Sequence, residues 1–194
     1  RLGVTTYSYD ANKRRTSVIR PDPDGAGGPL LAPVTQYFYD EVGNVVRMID
    51  ARDQETHYNY DKQDQLIRET APDPDGAGPL ASSVTRHFYD PAGNRVRTVD
   101  ALQRESRVEF DELNRAVEFW TQDIDRPARV QYDTVGRIEW REDEEGRRTT
   151  YGYDNLDRRT SLTLPDPDGA AGPLSAPKQF FSYDLNGNLK SWTD

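Results

Sequence analysis

Residues 37–50 read Tyr-Phe-Tyr-Asp-Glu-Val-Gly-Asn-Val-Val-Arg-Met-Ile-Asp. Tyr37 and Tyr39 alternate with another residue, and a spacing of two puts both on one face of a strand. Asp40 then opens a turn, where its carboxylate can accept backbone N–H bonds. Gly43, three residues on, supplies the positive φ of a bulged hairpin turn. A second strand, Val45 to Ile49, runs to Asp50 and a polar turn that sends the chain back. The stretch spells strand, turn, strand, turn, and helical periodicity is absent from the rest of the chain as well.

The same wording recurs. An aromatic residue precedes Asp at Tyr9-Asp10, Tyr39-Asp40, Tyr60-Asp61, Tyr89-Asp90, Phe110-Asp111, Tyr132-Asp133, Tyr153-Asp154 and Tyr183-Asp184. Successive spacings are 30, 21, 29, 21, 22, 21 and 30 residues. The base period is therefore 21 or 22, and three units carry an insertion of about nine residues. Those insertions are nearly identical: PDPDGAGGPL at 21–30, PDPDGAGPL at 72–80 and PDPDGAAGPL at 165–174. Each unit with an insertion is followed by a turn carrying Gly-Asn, at Gly43-Asn44, Gly93-Asn94 and Gly187-Asn188. The units thus come in pairs, and every second hairpin projects a long loop from one edge. Residues 1–194 read as a single array of eight hairpin units, with Asp10, Asp40, Asp61, Asp90, Asp111, Asp133, Asp154 and Asp184 as the markers.

Composition agrees with an all-β sheet. Only 34% of the 194 residues are hydrophobic and 30% are charged, yet aromatic residues reach 10% and recur in register, which disordered chains do not do. A net charge of −9 repels phosphate backbones, so nucleic acid is not the expected partner. The basic residues are mostly Arg, which stacks on tyrosine and forks onto carboxylates. There is no cysteine, hence neither disulfide framework nor thiolate chemistry. No apolar run approaches a membrane span. Eight hairpins would make a sheet on the order of 75 Å wide, which must curl or pack against another copy to cover its tyrosine face.

Candidate sites are few. The insertions carry Asp22 and Asp24, Asp73 and Asp75, Asp166 and Asp168, each pair at spacing two before a Gly, as at the opening of a calcium loop. The later acidic ligands of such a loop are missing, and Pro and Gly by themselves give rigid turns in which Asp bonds local backbone. No other cofactor is expected. The recurrent turn aspartates are copied at fixed phase, unlike a paired-acid catalytic site. His57 and His87 read as substitutions at strand positions, and neither a Gly-x-Ser-x-Gly elbow nor a phosphate loop occurs. No catalytic residue is assigned. The tyrosine ladder could stack on sugar rings, but cross-strand packing is its stronger reading. Trp120, Trp140 and Trp192 lie in second strands and could seat the sheet against a neighbouring layer.

The signature Tyr39-Asp40, Gly43-Asn44, Asp50, repeated in phase over the whole chain, resembles that of the Rhs/YD-repeat family. The resemblance implies a β-hairpin strip that spirals into a hollow shell, as in bacterial Rhs toxins, insecticidal toxin complexes and teneurins. Such shells enclose a toxic segment or present an adhesive surface, and they take a chain several times longer than this one. The near-identical insertions point instead towards a regular extended assembly. The expectation is a non-enzymatic structural segment of a secreted or cell-surface bacterial protein, part of a larger array. Its partners would be further copies of the repeat or other subunits. A filament or surface fibre comes first; an arc of a toxin-enclosing shell and a glycan-binding adhesin surface are the alternatives.

Overall fold

A computed structural model describes residues 3–25, 28, 30–76, 78, 80–169 and 172–193. Positions 26, 27, 29, 77, 79, 170 and 171 of the insertion loops, and the chain ends 1, 2 and 194, lie outside the described residues. Every regular element is a strand, and strand order follows the sequence without a crossover. The chain divides into two compact units, residues 1–104 and 105–194, each holding four of the hairpin repeats.

In the first unit β1 (Thr6–Tyr9), β2 (Arg15–Ile19), β3 (Val34–Tyr39), β4 (Val45–Ile49), β5 (Glu55–Tyr60), β6 (Leu66–Thr70), β7 (Val84–Tyr89) and β8 (Arg95–Val99) form an antiparallel meander. The second unit repeats the plan with β9 (Glu105–Phe110), β10 (Ala116–Thr121), β11 (Ala128–Tyr132), β12 (Ile138–Glu142), β13 (Arg148–Tyr153), β14 (Arg159–Thr163), β15 (Lys178–Tyr183) and β16 (Leu189–Thr193). The second strands read from sequence, Val45 to Ile49 and Arg95 to Val99, coincide with β4 and β8. The three insertions link β2 to β3, β6 to β7 and β14 to β15, on the edge away from the Tyr-Asp turns.

Register assigns side chains to faces. In the first unit Tyr7 opposes Val18, Tyr37 opposes Met48, Tyr58 opposes Glu69 and His87 opposes Thr98, all on the tyrosine face. The other face carries Phe38 against Arg47 and Phe88 against Arg97. The tryptophans do not share a face. Trp192 opposes Phe181 on the tyrosine face, whereas Trp120 and Trp140 lie on the opposite side with Arg107 and Gln131. The reason is position along the strand: Trp140 and Trp120 stand seven and nine residues after Asp133 and Asp111, Trp192 eight after Asp184, and alternation sends odd and even offsets to opposite faces.

This is a single layer. No hydrophobic residue among those described is fully buried. The accessible surface is 14034 Å², against about 9,400 Å² for a folded monomer of this 22.1 kDa mass. Cohesion must therefore come from neighbour-to-neighbour contacts along the strip, as in other repeat architectures.

Candidate functional site: the aspartate turn and the tyrosine clasp

The repeated motif is itself the site, and it has two working parts. The first is the turn. The N–H of Asp40 donates to the carbonyl of Asn44 at 3.0 Å, while Asp40 Oδ1 accepts from the N–H groups of Val42, Gly43 and Asn44 at 3.1, 2.8 and 2.8 Å. The same arrangement appears at Asp10, Asp61, Asp90, Asp111, Asp133, Asp154 and Asp184, with Oδ1 receiving the N–H of the residues two and four further on. One carboxylate thus satisfies the amides that a tight turn leaves without partners. The residue three after Asp has positive φ in every one of these turns: Gly43 at 107°, but also Lys13 at 62°, Asp64 at 60°, Asn114 at 57° and Asp157 at 61°. The sequence reading placed glycine there; the fold demands only the left-handed conformation, which Asp and Asn also tolerate.

The same turn closes the opposite edge at three of the four links without an insertion, the β10–β11 link being the exception. Asp50 and Asp100, read from the sequence as strand ends, build it, and so does Asp143, which that reading did not single out. The residue four after Asp was also missed as a class. It is Arg14, Asn44, Asn94, Arg104, Arg115, Arg137, Arg147, Arg158 or Asn188, and its side chain closes onto Asp Oδ2 at 2.6–3.1 Å. The signal was present, since an Arg or amide side chain stands at a fixed offset from each of these aspartates.

These bonds hold the carboxyls of Asp10, Asp40, Asp50, Asp90, Asp100, Asp111, Asp133, Asp143, Asp154 and Asp184 below their ordinary value of 3.8. At Asp10 the leading cause is the Arg14 backbone N–H, followed by the Arg14 guanidinium. At Asp90 the Asn94 side chain leads, and at Asp111 and Asp154 the paired Arg side chain leads. At Asp40, Asp133 and Asp143 desolvation is the largest influence and pushes upward, yet the donors together outweigh it.

The second part joins one repeat to the next. Tyr39 donates its hydroxyl to the carbonyl of Arg15 at 2.7 Å, Tyr60 to Val45 at 3.0 Å, Tyr89 to Leu66 at 2.9 Å, Tyr132 to Ala116 at 3.2 Å and Tyr183 to Arg159 at 2.8 Å. The accepting residue is always the one beside the bulge of the preceding hairpin. Each tyrosine therefore caps a carbonyl where the ladder of the previous repeat is interrupted. Arginines four after Asp reinforce the clasp. Arg14, Arg115, Arg137 and Arg158 lie 4.5–4.8 Å over Tyr39, Tyr132, Tyr153 and Tyr183 of the following repeat. Arg137 does most: it bonds Asp133 Oδ2 at 2.7 Å, the carbonyl of Asp154 at 3.0 Å and Asp157 Oδ1 at 2.8 Å. Asn44 makes the equivalent reach to Asp64 Oδ1 at 2.9 Å.

The loop aspartates behave as turn residues. Asp22 Oδ1 accepts from the N–H of Asp24 and Gly25, and Asp73 and Asp166 accept from the N–H of Asp75 and Asp168. Asp24, Asp75 and Asp168 each accept from the backbone N–H of Leu30, Leu80 and Leu174 at 3.1 Å. Among the described residues no group of three or more acidic, His or Cys side chains gathers for a metal. His57 lies on the face away from the tyrosines, opposite Arg47 and Thr70. His87 is nearly buried on the tyrosine face against Thr98 Oγ1 at 3.2 Å, and its desolvation lowers its pKa. The structure does not bring the two histidines together.

Comparison with known proteins agrees with this geometry. The family model for the RHS Repeat matches residues 39–77 and 132–170. A search of curated protein sequences finds no match. Among solved structures, TcdB2-TccC3 without its hypervariable C-terminal region is similar over 96% of this chain, with a TM-score of 0.71 and 19% identity. A second TcdB2-TccC3 structure covers 94% at a TM-score of 0.69 and 18% identity. The Tc holotoxin pore of Photorhabdus luminescens covers 98% at a TM-score of 0.70 and 17% identity. In each case the chain spans 11% of the solved one. Period, hairpin geometry and fold similarity converge on an array of β-hairpin repeats, two stretches of which match the RHS Repeat model.

Proposed function

We propose that this chain is a structural stretch of the wall of a larger RHS-repeat shell of the toxin-container kind, in a secreted bacterial protein. The observation that carries the reading is the clasp: at five joints a tyrosine hydroxyl bonds the bulge carbonyl of the preceding hairpin, at three of these an arginine stacks on the same ring, and no hydrophobic residue among those described is fully buried. A wall needs lateral continuity of this kind and leaves its two faces to whatever lies on either side. The fold similarity to TcdB2-TccC3 supports the same choice and shifts the weight away from a fibre. The fibre remains the second reading, because the three insertion loops share one internal bond, Asp to Leu N–H at 3.1 Å, and so would decorate one edge at regular intervals.

Electron microscopy of the full-length protein separates the two. Closed hollow particles are expected; uniform fibres with an axial repeat of a few hairpin pairs would replace the shell by the filament. The insertion loops are rigid turns in this account. Calcium at Asp22, Asp24, Asp73, Asp75, Asp166 and Asp168 is tested by melting the full-length protein with chelator and with millimolar calcium. An unmoved melting temperature is expected, and a clear rise with calcium would restore the metal.

A further inference from the structure

Arginines on the face away from the tyrosines are generally compensated. Arg47 meets Glu55 at 3.0 Å, Arg129 meets Glu118 at 2.8 Å, Arg148 meets Glu142 at 3.0 Å, and Arg107 pairs with Glu105. One place breaks the rule. Arg68 of β6 and Arg86 of β7 stand directly opposite each other across the ladder, both exposed, with neither a carboxylate nor an aromatic ring as partner. Their neighbours in the same cross-strand row are Asn59, opposite Arg68, and Val99, opposite Arg86. Like charges directly opposite on adjacent strands destabilise a sheet, and opposed Cα atoms lie only about 4.5–5.5 Å apart.

Two guanidinium groups carried on directly opposed residues can turn their N–H forks to one tetrahedral anion, whose oxygens they match bidentately. Asn59 adds an amide donor at the end of the row. We propose that Arg68 and Arg86 form a binding site for a single phosphate or sulfate group. The chain's net charge of −9 repels extended polyanions at long range, so the site selects one oxyanion group rather than a nucleic-acid backbone.

The test uses the full-length protein, titrated with inorganic sulfate and with inorganic phosphate at constant ionic strength in chloride, read by melting temperature and by calorimetry. Sulfate stabilises most proteins by exclusion, so the decisive quantity is the difference between wild type and variants. Arg68→Gln and Arg86→Gln should each weaken anion binding about tenfold or more, while neither lowers the melting temperature in chloride alone, because each removes a like-charge contact. Arg47→Gln, which leaves the pair intact, should keep the wild-type anion response. A phosphate response that grows between pH 6 and 8, where the dianion forms, with a flat sulfate response, identifies a phosphate-selective site; equal responses identify a general oxyanion site. Calorimetric binding that is absent, or equal in wild type and in both variants, overturns the proposal. Either result is independent of whether the full-length particle is a shell or a fibre.

Discussion

A single aspartate carboxylate organises each turn, and its chemistry sets the response to acid. The folded-state pKa values of Asp10, Asp90, Asp100, Asp111, Asp154 and Asp184 lie below the ordinary 3.8. The unfolded chain therefore binds protons more readily than the folded one. The stabilisation is present above about pH 4 and is lost as pH falls through the lowered folded values. Circular dichroism of the full-length protein at constant ionic strength should show strand signal declining together across that window; a signal flat to pH 2 would show that the carboxylates do not hold the turns. Position three after Asp gives a second residue-level expectation. Gly43 sits at φ 107°, outside the left-handed well that Asp64 and Asn114 occupy near 60°. Gly43→Val should cost on the order of 1–2 kcal/mol through backbone strain, whereas Lys13→Gly, at φ 62°, should be nearly neutral, as measured by denaturant unfolding. Sequence reasoning reached Asp40 and Gly43 because their turn chemistry is local. It missed the second role of Arg14, Arg137 and Asn44, which close their own turns and also reach Asp40, Asp154, Asp157 and Asp64 of the next hairpin, about a repeat away in sequence.

The hairpin is the unit that repeats, and the joint between hairpins is where its strength lies. Removing the hydroxyl in Tyr60→Phe or Tyr89→Phe leaves the ring in place but abandons a bulge carbonyl, at a cost of about 1 kcal/mol each. Arg137 spans two turns and one ring, so Arg137→Lys should not restore what Arg137→Ala removes: a lysine cannot fork onto Asp133 while reaching Asp154 and Asp157. Amide exchange in β12 to β14 should quicken in both variants, and full protection in the lysine variant would reduce Arg137 to a point charge. Strand limits such as β4 and β8 were legible from the period of two. The faces of Trp120 and Trp140 were open to the same period, since both stand at odd offsets from the turn aspartate and Trp192 at an even one, but the three were grouped only as second-strand residues.

At the scale of the molecule, a sheet with no fully buried hydrophobic residue among those described holds together as a sum of units and neighbour joints. Hairpin count, period and insertion sites could be read directly from the chain, because each follows from a local motif in phase. The choice between wall and fibre could not, because it depends on how far a strip curves, and no single repeat encodes that. Nearest-neighbour cohesion is the claim on which the rest stands. Hydrogen–deuterium exchange of the full-length protein carrying Tyr60→Phe tests it most directly. Faster exchange confined to β3 to β6, the hairpins on either side of the Tyr60–Val45 clasp, with β13 to β16 unchanged, is the predicted result. A uniform rise across all strands, or no rise at the clasp, would contradict it.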